Sequence, residues 1–318
     1  MDNKNELELL RTRSSSAVIR HGYRLFSGNF RKLLRSSWVA AAAYALIVSL
    51  ASSYYISQLP AIVIASVANA QQPALSNQLT ITGLLLALAG LLIYVATAVL
   101  SSYAVSAFAE HQASGSISSA TRWYGRLDRK ALWPTLRLYG WNLIVILLMS
   151  VVMGGVIFMA QRYMGRWAGL GLLATATLII VALTLPLTFT NMKYLLTPKA
   201  SYLPMLAATY GRGLRHWGRI FIVMLVVGIV TYACILLTEL PALILYLANT
   251  QSQIGRLQGD PVGMPDYMLW MNIVVFAIAG FIQAYIFLST LYPAYYLYGS
   301  IETEEKERQT LTPNTQQP

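Results

Sequence analysis

Few groups in this 318-residue chain can move protons, hold metals or attack carbon: twelve carboxylates, three histidines and one cysteine. Two aspartates sharing a proton would signal an aspartic protease, but the long apolar stretches contain no Asp. His21, His111 and His216 lie far apart in polar segments. They lack the His-Glu-x-x-His spacing that sets two imidazoles and a base on one helix face. Gly115-Ser116 and Gly299-Ser300 miss the second glycine of a nucleophile elbow. No Gly-x-x-x-x-Gly-Lys phosphate loop is present. The chain therefore reads as non-enzymatic, and no cofactor or metal is expected. Cys234 stands alone, can form no internal disulfide, and reads as a small buried apolar residue.

Eleven of the twelve carboxylates fall in termini, loops or the edges of apolar stretches. Glu239 is the exception, inside the apolar run 220–248. An ionisable group within a membrane segment is a functional candidate by default. Gln58 holds the matching place in an earlier run, because Gln58-Leu59-Pro60-Ala61 parallels Glu239-Leu240-Pro241-Ala242. Gln283 is a further polar residue inside a late apolar run. Glu239, Gln58 and Gln283 are the candidate functional residues. Counting from Arg219 at about 1.5 Å per residue puts Glu239 near the outer membrane interface, where solvent would satisfy it.

The elements that carry these residues follow from composition. Hydrophobic residues make up 56% of the chain and charged residues only 11%, against roughly 25% charged in a soluble domain. The apolar residues form continuous blocks long enough to cross a hydrocarbon core about 30 Å thick as helices. Barrel strands would alternate instead. The fold class is an all-α polytopic membrane bundle with six spans, near 38–58, 79–108, 138–160, 167–190, 219–240 and 268–298. The polar N-terminus lacks the pattern of a cleaved leader, so the first block reads as a retained span.

Charge sets the direction. Twenty Lys or Arg precede span one, follow the even-numbered spans, or lie in the tail, and three occupy the opposite loops. The positive-inside rule then places both termini in the cytoplasm. This accounts for the +11 net charge without any nucleic-acid partner.

Basic amphipathic segments precede the odd-numbered spans. Apolar residues recur at helical spacing, with arginines along the flank: Arg20, Arg24, Arg31 and Arg35, then Arg122, Arg126 and Arg129, then Arg212, Arg215 and Arg219. Each reads as a helix lying in the interface, its arginines touching anionic lipid headgroups. The alternative is a cytoplasmic cap packed on the bundle. The unit of amphipathic helix plus two spans thus occurs three times, over about 17–110, 111–197 and 198–300, as parallel repeats. Late prolines recur in span four (Pro186) and span six (Pro293). Residues 1–16 form a cytoplasmic lead-in. Residues 301–318, charged and then Thr-, Gln- and Pro-rich, read as a disordered cytoplasmic tail.

The basic Tyr-Arg-Leu-Phe-Ser-Gly-Asn-Phe-Arg-Lys-Leu-Leu helix at 23–34, the paired spans and the two late prolines resemble the six-span bacterial proteins grouped with the membrane domain of glycerophosphoryl diester phosphodiesterases. The resemblance covers about 17–300. It implies a membrane scaffold in a bacterial inner membrane and carries over no catalytic residue. The expected role is a scaffold or accessory subunit contacting lipid and partner membrane proteins. A transporter or channel for a lipid-like or small neutral solute is the second expectation. An enzyme acting on lipid headgroups through Glu110, His111 and arginines is the third.

Overall fold

The computed structural model describes residues 9–67, 73–117, 128–163, 166–197, 200–257, 259, 265 and 267–311. Its elements are α1 Ser15–Val67, α2 Pro73–Ser114, α3 Arg129–Tyr163, α4 Arg166–Thr184, α5 Leu187–Leu196, α6 Tyr202–Arg215, α7 Trp217–Leu257 and α8 Tyr267–Leu311. No strand occurs among the described residues. Six helical stretches are long and apolar enough to cross a membrane: Ser15–Gln58, Thr80–Ser114, Arg129–Ala160, Trp167–Leu196, Trp217–Ser252 and Tyr267–Thr310. They match the six expected spans.

The outward surface explains why these helices belong in lipid. Leu46, Leu84, Leu148, Leu178, Ile229 and Ile278, one from each spanning helix, are all more than half exposed. A soluble monomer rarely shows contiguous apolar patches beyond a few hundred Å². In hydrocarbon the same belt costs nothing, and each helix satisfies its own backbone. The chain is a multi-pass integral membrane protein.

α1 and α8 run side by side and form the axis. α2 and α7 flank them, while the α3–α4 pair is peripheral: 6% of each apolar window is buried there, against 39% in α8. At the end carrying both termini, α1, α2 and α8 extend beyond the belt. With α5 and α6 they build a compact cap. Its centre is aromatic: Tyr292, Tyr295 and Tyr296 of α8 are fully buried beside Phe108 of α2. Phe108 stacks on Tyr295 with centroids 4.3 Å apart.

Two close backbone approaches fix the cap. Gly22 of α1 lies against Pro293 of α8, where a Cβ would come 2.6 Å from the proline nitrogen. Gly213 of α6 lies against Pro186, where a Cβ would come 2.8 Å from the carbonyl oxygen. In each case a glycine in a basic segment meets a late proline of an even-numbered span.

Pro186 also divides the fourth span into α4 and α5. A proline has no N–H to give the carbonyl four residues back. Trp217 Nε1 donates to that Ala182 carbonyl at 3.0 Å. The Tyr210 hydroxyl donates to the next, Leu183, at 2.8 Å. Carbonyls freed within an apolar belt are thus paired again from α6 and α7, as a low-dielectric setting requires.

Two expectations are corrected. The first basic segment does not lie apart in the interface. It is the N-terminal part of α1, continuous with the first span. The buried face that begins at Val18 and His21 continues through Leu25 and Leu33 to Tyr44, so packing carries the helix straight through. Over its 53 residues α1 is about 80 Å long, far beyond a bilayer. The cap alternative holds for this segment. The third segment does form a separate helix, α6, which ends at His216 with φ −99° and ψ 19°. The second, over 118–127, lies outside the described residues.

The second correction concerns the tail. α8 continues through Leu311, because Glu302, Glu304 and Glu305 find basic partners on α5, α6 and α7. The expected disorder of 312–318 lies outside the described residues. Pro241 does not end α7, which runs to Leu257.

Candidate functional site

Glu239 lines a groove of about 640 Å³ within the apolar belt. α1 supplies Ala51, Ser52, Tyr55 and Ile56; α2 supplies Leu86, Ala89, Gly90 and Ile93. α7 adds Leu236, Glu239, Leu240, Ala242, Leu243 and Tyr246, and Phe276 comes from α8. The concavity arises because small residues face it from three helices. Gln283 of α8 donates its side-chain N–H to the Glu239 carboxylate. These two sequence candidates therefore meet. Gln58 does not join them: its amide oxygen accepts a long 3.5 Å contact from Thr82 on α2. No Lys or Arg pairs with Glu239 among the described residues.

A second, smaller cavity of about 130 Å³ lies between α1, α2, α3 and α8, near the inner edge of the belt. Tyr44, Thr97, Ser101 and Tyr139 give it a polar side. Ser101 Oγ and the Tyr139 hydroxyl are 2.7 Å apart, and Tyr94 donates to the Tyr139 carbonyl at 2.9 Å.

The histidines do not form one centre. His21 and His111 both approach the ring of Tyr296, with centroids 6.1 and 6.4 Å away. His111 Nδ1 lies 3.0 Å from the Tyr295 hydroxyl. Both imidazoles are enclosed in the cap. His216 instead faces the carboxylates of α8: its Nε2 is 2.9 Å from Glu305 Oε1. No group of three or more His, Cys, Asp or Glu able to hold a metal occurs among the described residues. Cys234, read from sequence as buried, is exposed on the belt.

Around Glu305 lies an ionic cluster outside the membrane-spanning part of α8. Lys193 of α5 bonds Glu302 at 2.8 Å, and Arg215 approaches Glu305 at 3.4 Å. Arg219 bonds Glu304, the Arg13 carbonyl and Ser300 Oγ. The Arg13 N–H donates to Ser300 Oγ at 2.8 Å, and its guanidinium lies 5.1 Å from the Tyr296 ring. Burial alone would raise the Glu305 carboxyl. The hydrogen bond from His216 and the charges of Arg215, His216 and Arg308 outweigh it and hold the carboxyl below the ordinary glutamate value.

The arginines expected on lipid thus separate into groups. Arg219 is committed to the cluster, and Arg215 faces Glu305 while its side chain stays more than half exposed. Arg212 is half-buried on α6. Arg122 and Arg126 lie outside the described residues, while Arg129 is exposed at the start of α3. Arg20, Arg24, Arg31 and Arg35 are exposed on α1. At 3.6 residues per turn their spacing places all four within an arc of about 60°, along a stripe about 22 Å long. The buried Val18, His21, Leu25 and Leu33 occupy the other side of the helix.

Sequence reasoning missed Arg13, Ser300 and the tyrosines at 295 and 296 as organising residues of the cap. The one available signal was the density of tyrosine and small residues over 292–300, too polar for a lipid-facing surface. These features define a multi-pass helical membrane protein with a sealed cap at one end and an apolar, carboxylate-bearing groove in its belt. Comparison with known proteins finds no matching family model, no similar curated protein and no similar solved structure.

Proposed function

We propose that this protein is a non-enzymatic membrane scaffold or accessory subunit, contacting anionic lipid and partner proteins through its cap. One observation carries the reading: four arginines, exposed and aligned along α1, stand where the helix leaves the belt, while its other face is locked into the cap. Each basic residue near an anionic surface contributes about 1 kcal/mol, so an aligned set of four forms a strong electrostatic contact. Arg31 and Arg35 lie within about two turns of Trp38, at headgroup depth. Arg20 and Arg24 project further and suit an acidic segment of a partner.

The reading places both termini in the cytoplasm of a bacterium and the belt in its inner membrane. Charge asymmetry supports this orientation, and contacts between the N-terminal segment and α8 agree with both ends lying on one side. The paired approaches Gly22–Pro293 and Gly213–Pro186 support the repeat reading and, with it, kinship to the six-span family resembled in sequence.

The test is purification in native lipid, followed by mass spectrometry of co-purifying lipids and proteins. An anionic phospholipid or a defined partner is expected to be enriched, and glutamine at positions 20, 24, 31 and 35 is expected to reduce that enrichment. Enrichment of neither, or no response to the four substitutions, overturns the proposal. For the orientation, cysteines placed at residues 70 and 255 in a chain lacking Cys234 should resist labelling from the cytoplasmic side. Efficient labelling there would reverse it.

A further inference from the structure

The groove around Glu239 plays no part in the scaffold reading. Its volume of about 640 Å³ falls within the roughly 300–1,000 Å³ typical of small-molecule sites. Its walls are apolar, and they carry one carboxylate. Glu239 is half-buried among these walls, and a carboxylate in apolar surroundings is stabilised by a compensating charge or a full set of hydrogen bonds. Gln283 supplies a single neutral N–H. The lining contains no Lys, Arg or His, and no cation pairs with Glu239 among the described residues.

The protein thus provides an apolar container, an anion and no counter-ion. An acyl chain would match the walls but leave the carboxylate unanswered, and an anionic amphiphile would be repelled. A lipophilic cation satisfies both. Tyr55, Tyr246 and Phe276 in the lining favour a cation as well, since aromatic faces attract positive charge. We propose that this groove is a binding site for a lipophilic monocation, an amphiphile with an apolar body and one positive centre. The positive centre lies against Glu239, and the Gln283 amide orients the carboxylate. The body fills the space over Ala89 and Gly90.

The experiment uses the full chain in nanodiscs and two probes of the same shape and opposite charge, tetraphenylphosphonium and tetraphenylborate. Saturable binding of the phosphonium at one site per chain is expected, with none for the borate. Glu239→Gln should weaken phosphonium binding at least tenfold. Gly90→Phe should abolish it by filling the groove. No heavy atom lies within 4 Å of where the new Cβ starts, so α2 itself need not move. Thermal unfolding confirms that each variant is folded. Unchanged phosphonium binding by folded Glu239→Gln or Gly90→Phe overturns the proposal. So does equal binding of both probes to the unmodified chain, a comparison that needs no variant. These outcomes are independent of the lipid and partner test of the scaffold reading.

Discussion

Two glycines of α1 allow the cap packing to be tested against a matched control. Gly22 and Gly28 both lie inside the same helix. Replacing a mid-helix glycine by alanine gains about 0.5–1 kcal/mol, because the unfolded chain loses freedom it no longer has to give up. At Gly28 nothing lies within 4 Å of the new Cβ, so that gain should appear in full. At Gly22 the Cβ would fall 2.6 Å from the nitrogen of Pro293 and 2.7 Å from its Cα. Both are backbone atoms in residues 292–301 of α8, a stretch buried throughout, so neither can rotate away. α1 and α8 would have to separate along the aromatic core. Overpacking of this kind costs about 1–3 kcal/mol. The propensity gain is common to both variants and cancels in their difference. Gly28→Ala should therefore be more stable than Gly22→Ala by about 1–3 kcal/mol. Thermal unfolding in detergent, followed by tryptophan fluorescence, measures the difference. If Gly22→Ala melts at or above Gly28→Ala, the close approach of α1 to Pro293 is wrong, and the axis of the fold with it.

The proline in the fourth span and the ionic cluster each yield a further test. Trp217→Phe removes the donor to the part-buried Ala182 carbonyl and should cost about 1–3 kcal/mol, the penalty of leaving an acceptor unpaired in apolar surroundings. Pro186→Ala restores a backbone donor to that carbonyl, so the double variant should lose less than the sum of the two single ones, and strict additivity in a double-mutant cycle would refute the pairing. The Glu305 carboxyl, held below its ordinary value of 4.5 by His216 and the surrounding charges, stabilises the fold above that value. That contribution should fade as pH falls through the lower folded value. Glu305→Gln should flatten the stability profile in this acid range, and an unchanged profile would show that the cluster does not hold α8.

The membrane architecture was legible because hydropathy and charge are local properties. Twenty residues of Leu, Ile and Val declare a span without reference to any neighbour. The late prolines were legible as well, since each stands out in an apolar run. What each proline does was not. Ala182 O finds its donor on Trp217, 35 residues away, and Gly22 meets Pro293 across nearly the whole chain. The tail shows the same limit. Glu302, Glu304 and Glu305, read by composition, suggest a solvated chain, yet Lys193, His216 and Arg219 lie about 80 to 110 residues earlier and make the segment helical. Glu239 was found by its charge, but its partner was not legible, since Gln283 lies 44 residues later on another helix. Pro241 leaves α7 unbroken, because a long apolar helix tolerates the lost bond when surrounding helices hold it.

This division of labour accounts for the contrast between the two ends of the molecule. In the cap, every conspicuous charge near the axis has an answering group: Arg219 has Glu304, Lys193 has Glu302, and His216 has Glu305. Such matched networks fix geometry, and they leave little to bind. In the belt, where a lone charge costs most, Glu239 has one neutral partner and an open groove beside it. Selection for stability alone would replace it by glutamine, the residue found at the parallel position 58, or by leucine. A half-buried carboxylate without a counter-ion, next to a space of ligand size, is best understood through what enters that space. The stability of Glu239→Gln bears on this directly: the variant should melt at or above the unmodified chain in the absence of any cation, because a half-buried charge without a counter-ion has been removed.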